Sequence, residues 1–158
     1  MADEIAPDTA PNEFAGQLFF RLWRASHTRV REALESLGLT PALFGLLNLI
    51  AGIEGANQQE LGTAMGVDPS TMVSLIDELE AKGLAKRQPH PKDRRARSVV
   101  LTAKGRRVRE RGREVARQVE DEVLGGLSAA DRQELLRLLR LAYGSAPPQP
   151  PWRAEEGD

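Results

Sequence analysis

Residues 40–101 are punctuated so closely that only short helices followed by a hairpin fit between the marks. Thr40-Pro41 puts a capping hydroxyl before a proline at the first helical position, and Asp68-Pro69 repeats the signal with a carboxylate. Asn57 supplies a third cap, and Gly66-Val67 a tight turn. Between these marks apolar residues fall at helical spacing: Leu43, Leu46, Leu47 and Ile50 in a helix over 41–53, and Met72, Leu75, Ile76 and Leu79 facing inward in one over 69–82. A short helix over 58–65 lies between them, and Gly83 stops the last. Residues 84–88 and 97–101 then read as two strands. The polar turn His90-Pro91-Lys92-Asp93-Arg94-Arg95 joins them into a β-hairpin with a long basic tip.

Three longer helices flank this block. In the first, over 13–37 and ended by Gly38, Phe20, Trp23, His27, Val30, Leu34 and Leu37 form one apolar stripe. Phe14, Leu18, Leu22 and Ala25 form a second beside it. A helix with two stripes must be covered from two directions, by its own domain and by another surface such as a partner chain. Thr102 caps a helix to about residue 124 with only Val108, Val115, Val119 and Val123 as its apolar content. Ser128-x-x-Asp131 opens a last helix to about 143 carrying Leu135, Leu138, Leu139 and Ala142. Residues 1–12 and the proline-rich 144–158, which holds Trp152, read as disordered tails.

Composition removes several kinds of chemistry. The 158 residues contain no cysteine and two histidines, His27 and His90. Thiol nucleophiles, zinc-thiolate sites and multi-histidine metal centres are excluded. No phosphate-cradling glycine loop or paired-carboxylate metal spacing is present. The expectation is a non-enzyme without cofactor or metal. The longest near-continuous apolar stretch, Leu43 to Ile53, is interrupted by Asn48 and falls short of the about 20 residues a membrane span needs. The acidic start has no signal-peptide core, which points to a cytoplasmic protein.

The net charge of −1 hides a strong segregation. Residues 82–117 hold 14 Lys/Arg against 3 Asp/Glu, while the remainder is net negative. Such a segment suits a polyanion, although an arginine-rich solvated helix would look the same by charge alone. Its position settles more. A short helix, a tight turn and a second helix form a helix-turn-helix, whose second helix enters the DNA major groove by its N-terminal end. Here that end starts at Pro69 and presents Ser70, Thr71 and Ser74, small hydroxyls that suit phosphates or base edges. Capping chemistry alone would also place a Ser-Thr pair there. Lys92, Arg94 and Arg95 at the hairpin tip, with Lys86, Arg87 and Arg97 on its strands, supply a basic wing able to reach a flanking minor groove. Asp93 is expected to pair with an arginine and hold the tip in shape.

The run DPSTMVSLIDELEAKGLAKRQPHPKDRRARSVVLTAKG, residues 68–105, resembles the MarR family of bacterial winged-helix regulators. GLTPALFGLL before it and LSAADRQELLRLL after it agree, and the similarity runs over about residues 13–143. The resemblance implies a mainly α fold: a winged helix-turn-helix with a two-stranded β wing and long dimerisation helices, in a triangular homodimer. Residues 13–37 and 102–143 would be the dimerisation helices and 38–101 the DNA-binding domain. Helix 69–82 would be the recognition helix, and Asp93 and Arg95 would match the family's wing Asp-x-Arg pair, with Arg95 in the minor groove. Val73 and Ser74 stand where members often carry Thr and Arg, which leaves fewer long base-reading side chains. Members commonly bind small aromatic or phenolic anions, and Phe20, Trp23, His27 and Phe44 are the candidates for such an effector site here. Plain core packing gives the same aromatic spacing. The implied function is a homodimeric regulator of a pseudo-palindromic double-stranded DNA operator, a repressor relieved by such a ligand. The competing readings are an architectural, low-specificity DNA-binding protein and a protein-interaction module. The lysine- and arginine-rich segment argues against the latter.

Overall fold

The computed structural model describes residues 14–89 and 97–145. Six helices and one hairpin follow in the order α1 (Ala15–Glu35), α2 (Pro41–Gly52), α3 (Gln58–Met65), α4 (Pro69–Ala81), β1 (Ala85–Pro89), β2 (Arg97–Leu101), α5 (Ala103–Val123) and α6 (Ala129–Ser145). The fold is mainly α, a winged helix-turn-helix flanked by long helices. The expected tail over 1–12 and the hairpin tip with His90 lie outside the described residues, as does the expected tail over 144–158 with Trp152, except that α6 runs on through Gly144 to Ser145.

The starts of the helices after α1 follow from their caps. Thr40 Oγ1 accepts from the Leu43 amide at 3.2 Å, and Asn57 and Glu60 exchange side-chain and backbone bonds in a capping box. Thr102 Oγ1 accepts from the Gly105 amide at 2.9 Å, and Ser128 Oγ from that of Asp131 at 3.2 Å. Gly66 closes α3 at φ 71°, a left-handed conformation that a side chain would strain. At its C-terminal end α1 is shorter than expected. Its last residues leave the α pattern because the Leu37 and Leu39 amides both turn back to the Leu34 carbonyl, so Leu37 lies in a turn rather than in the helix.

The core gathers Leu34 of α1, Leu43, Leu46, Leu47 and Ile50 of α2, Leu61 of α3, Met72, Ile76 and Leu79 of α4, and Val99 and Leu101 of β2. Leu75, expected inside, is only half-buried at its edge. The antiparallel pair β1–β2 runs in the register Ala85 opposite Leu101 and Arg87 opposite Val99. On its other side β2 is anchored by the Val99 amide, which donates to the Ala56 carbonyl between α2 and α3 at 2.9 Å. The wing is thereby joined to the helix-turn-helix.

Helix α5 begins hard against this domain. A Cβ on Gly105 would overlap the Leu84 carbonyl, and Thr102 Oγ1 donates to the Gly83 carbonyl at 2.7 Å. Further along, Gly112 lies over Phe44 and Leu34, and Arg109 Nε donates to Asn48 Oδ1 at 3.0 Å. Helix α6 is tied to α5 by the ion pair of Arg132 with Asp121. Among the described residues, no helix is long and apolar enough to cross a membrane.

Candidate nucleic-acid interface

The exposed end of the helix-turn-helix is the N-terminus of α4. Its cap, Asp68, accepts from the Thr71 amide at 2.9 Å and from the hydroxyls of Ser70 and Thr71 at 2.5 Å each. The Ser70 hydroxyl, then the Thr71 hydroxyl and amide, hold the Asp68 carboxyl well below the usual carboxylate range. Ser74 Oγ donates to the Ser70 carbonyl at 3.2 Å. All three hydroxyl protons are therefore used within the helix end, which leaves their oxygens to act as acceptors. Pro69, Ser70 and Ser74 are exposed, and Thr71 is half-buried. Beside them a hollow of about 640 Å³ opens between α3 and α4, lined by Gln58, Gln59, Thr63, Val67 and Pro69. Its amides and hydroxyl were not singled out by the sequence reading. The one available signal was their place on α3 beside the turn.

The described part of the hairpin packs against the C-terminal half of α4. Asp93, Arg94 and Arg95 lie outside the described residues. Arg87, on β1, is engaged within the protein. Its Nη1 donates to Asp77 Oδ1 at 2.6 Å and also to Glu80, and its backbone amide donates to Glu80 Oε1 at 2.6 Å. Asp77 and Glu80 escaped the sequence reading. Their spacing of three on α4 put them on one face, but nothing local marked Arg87 as their partner.

The four aromatic effector candidates divide into two groups. Trp23 stacks on His27 with ring centroids 4.9 Å apart and meets Phe20 at 6.1 Å, yet Phe20 and Trp23 are each 58% exposed. Phe44 instead packs against the core beneath Gly112, beside Leu34. Leu34 is eleven residues from Trp23 along α1, or about 16 Å. An apolar groove of about 250 Å³ does adjoin Trp23, between α1, α5 and α6, with Phe19, Leu22, Val123, Leu135 and Leu139 in its walls. Phe44 does not line it.

This geometry is shared with known proteins. Residues 37–96 match the MarR family. A protein of Thauera aromatica assigned to transcriptional regulation of the hcr operon is 34% identical over 133 residues, covering 82% of this chain and 80% of that protein. The chain belongs to the MarR family. This is a family of transcriptional regulators rather than of enzymes. Among solved structures, the MarR family chain resembles CouR from Rhodococcus jostii bound to p-coumaroyl-CoA. The TM-score is 0.74 and the identity 28%, over 90% of this chain and 100% of that one. It also resembles a Mycobacterium tuberculosis MarR family protein in complex with DNA, with a TM-score of 0.72 and 28% identity over 83% of this chain and 98% of that one.

Proposed function

We propose that this MarR family chain acts in the cytoplasm as a homodimeric, sequence-specific regulator of a pseudo-palindromic double-stranded DNA operator, and that it is a repressor released by a small aromatic or phenolic ligand. The observation that carries the reading is the exposed N-terminus of α4 in a winged helix-turn-helix whose outer helices keep an apolar surface open. Phe14 and the α1 residues Leu18, Phe19, Phe20, Leu22 and Trp23 are exposed, as are Leu136, Leu138, Leu139, Leu141 and Tyr143 of α6. A patch of this kind marks an interface, and a second copy would cover it. Two α4 helices would then enter successive major grooves. Pro69, Ser70, Thr71 and Ser74 would face base edges, the hydroxyl oxygens accepting from cytosine or adenine amino groups. Arg94 and Arg95 would reach the minor groove, with Asp93 shaping the tip.

The ligand half of the reading rests on the aromatic run Phe20, Trp23 and His27 and the neighbouring groove, and on CouR, which was crystallised with p-coumaroyl-CoA. Ligand pockets usually start near about 300 Å³. A groove of about 250 Å³ therefore needs the partner chain, or a small movement, to enclose an aromatic acid.

A salt titration tests the DNA reading. Affinity for duplex DNA should fall about 10³-fold or more between 50 and 200 mM salt, the behaviour of a protein making several phosphate contacts. A flat series would contradict it. The low-specificity reading has one observation in its favour: the DNA-facing positions Val73 and Ser74 of α4 carry no long polar side chain. Competition with random DNA separates the two, because a specific regulator prefers its site by at least about 10³.

A further inference from the structure

Arg87 joins three elements of the winged domain through one side chain. It projects from β1, shares Nη1 between Asp77 and Glu80 of α4, and brings Nη2 to 3.5 Å from Gln58 Oε1 at the start of α3. The Glu80 carboxylate also takes the Arg87 backbone amide, so the strand itself is held and not only its side chain. The Arg87 side chain is 22% exposed. By contrast, the neighbouring carboxylate Glu78 meets Lys82 at 3.5 Å, a cation more exposed than Arg87.

We propose that Arg87 is a positioning residue that locks the wing to the recognition helix, and that it does not itself bind DNA. The proposal rests on the DNA-binding reading above. Two arguments carry it. The first is geometric. Three of the five guanidinium N–H groups are committed to two carboxylates and an amide oxygen, so an Arg87 side chain swung out to a phosphate would give up those bonds, and only the backbone amide bond to Glu80 would remain of its hold on α4. The second is electrostatic. Asp77 and Glu80 place two negative charges on the helix that must approach a polyanion, and Arg87 lies between them. The clamp therefore sets the angle between helix and wing, and it screens the helix's own carboxylates from the duplex.

The sign of the effect of one double substitution separates a clamp from a DNA ligand. In Asp77→Ala with Glu80→Ala, two negative charges leave the DNA-facing helix and Arg87 is set free. If Arg87 were a DNA ligand, that protein would bind duplex more tightly. The clamp predicts binding about tenfold weaker, because a coupled cluster has been broken. The probe is the duplex that the wild-type protein enriches from a randomised pool, at fixed salt. Amide hydrogen exchange across Ala85–Pro89 and Arg97–Leu101 is followed in the free protein as a second readout, and the clamp predicts faster exchange there. Arg87→Lys, which keeps the charge but not the fork, should fall between wild type and Arg87→Ala in both readouts. If the alanine pair does not fold, the isosteric Asp77→Asn with Glu80→Gln carries the same expectations. Equal or tighter DNA binding by the acid-free protein, or unchanged strand exchange, would overturn the proposal. If the wild type enriched no duplex, the DNA reading would fail and the role assigned to Arg87 with it, while the exchange arm would still decide whether the clamp holds the wing.

Discussion

A Cβ on Gly112 would stand 2.6 Å from the Phe44 ring and 3.4 Å from Leu34. The close passage of α5 over the winged domain therefore depends on a missing side chain. Alanine is the better helix former by up to about 1 kcal/mol, but displacing a packed ring costs about 1–3 kcal/mol. Gly112→Ala should lose about 1 kcal/mol net in urea denaturation. Combined with Phe44→Leu, the loss should be smaller than the two single losses added. Strict additivity would mean that the contact is not the one described. At the other end of the domain, Asp68 holds the first turn of α4 through Ser70 and Thr71, and its carboxyl titrates lower folded than unfolded. Stability from that depressed carboxyl is present above the ordinary carboxylate range and is lost as the pH falls below about 4. Asp68→Asn caps as well but does not titrate. It should therefore lose less stability than wild type between about pH 5 and pH 2 in acid melts, whereas Asp68→Ala should already be weaker at pH 7. Identical acid limbs for wild type and Asp68→Asn would contradict this role.

At the scale of elements, the starts of α2 to α6 were legible in the sequence because each depends on neighbours in the chain. Thr40, Asn57, Asp68, Thr102 and Ser128 act on amides three residues away. The start of α4 was legible for the same reason, through Asp68 and Pro69. What stayed hidden was whatever depends on partners far along the chain. The pairing of Arg87 with Asp77, ten residues back in the chain, and the contact of Phe44 with α5 at Gly112 have no local mark in the sequence. The two stripes of α1 were visible as a demand for two covers. The fold meets one with α5 and leaves Leu18, Phe20 and Trp23 exposed. Helix α6 shows the same want, with Leu138 and Leu141 exposed and Tyr143 at 82%. A charge placed there strikes the proposed dimer without touching the core. Leu138→Arg should raise the dimer dissociation constant about a hundredfold or more, since it buries an unpaired cation. Its circular dichroism should stay native. Light scattering that still showed a dimer at the wild-type concentration would remove α6 from the interface.

For the whole molecule, the acidic and basic halves of the sequence acquire separate places. Basic residues cluster from the wing up α5, with Arg106, Arg107, Arg111, Arg113 and Arg117 exposed, while acidic residues dominate the rest of the chain. In the proposed dimer, two α4 ends would face one side of a duplex, and their spacing would have to match the helical repeat of DNA. Selection of duplexes from a randomised pool by the purified protein, read by sequencing, tests that claim most directly. The account predicts an inverted repeat whose half-site centres lie about 10 base pairs apart. Enrichment of a single unsymmetrical site, or of no sequence at all, would contradict it.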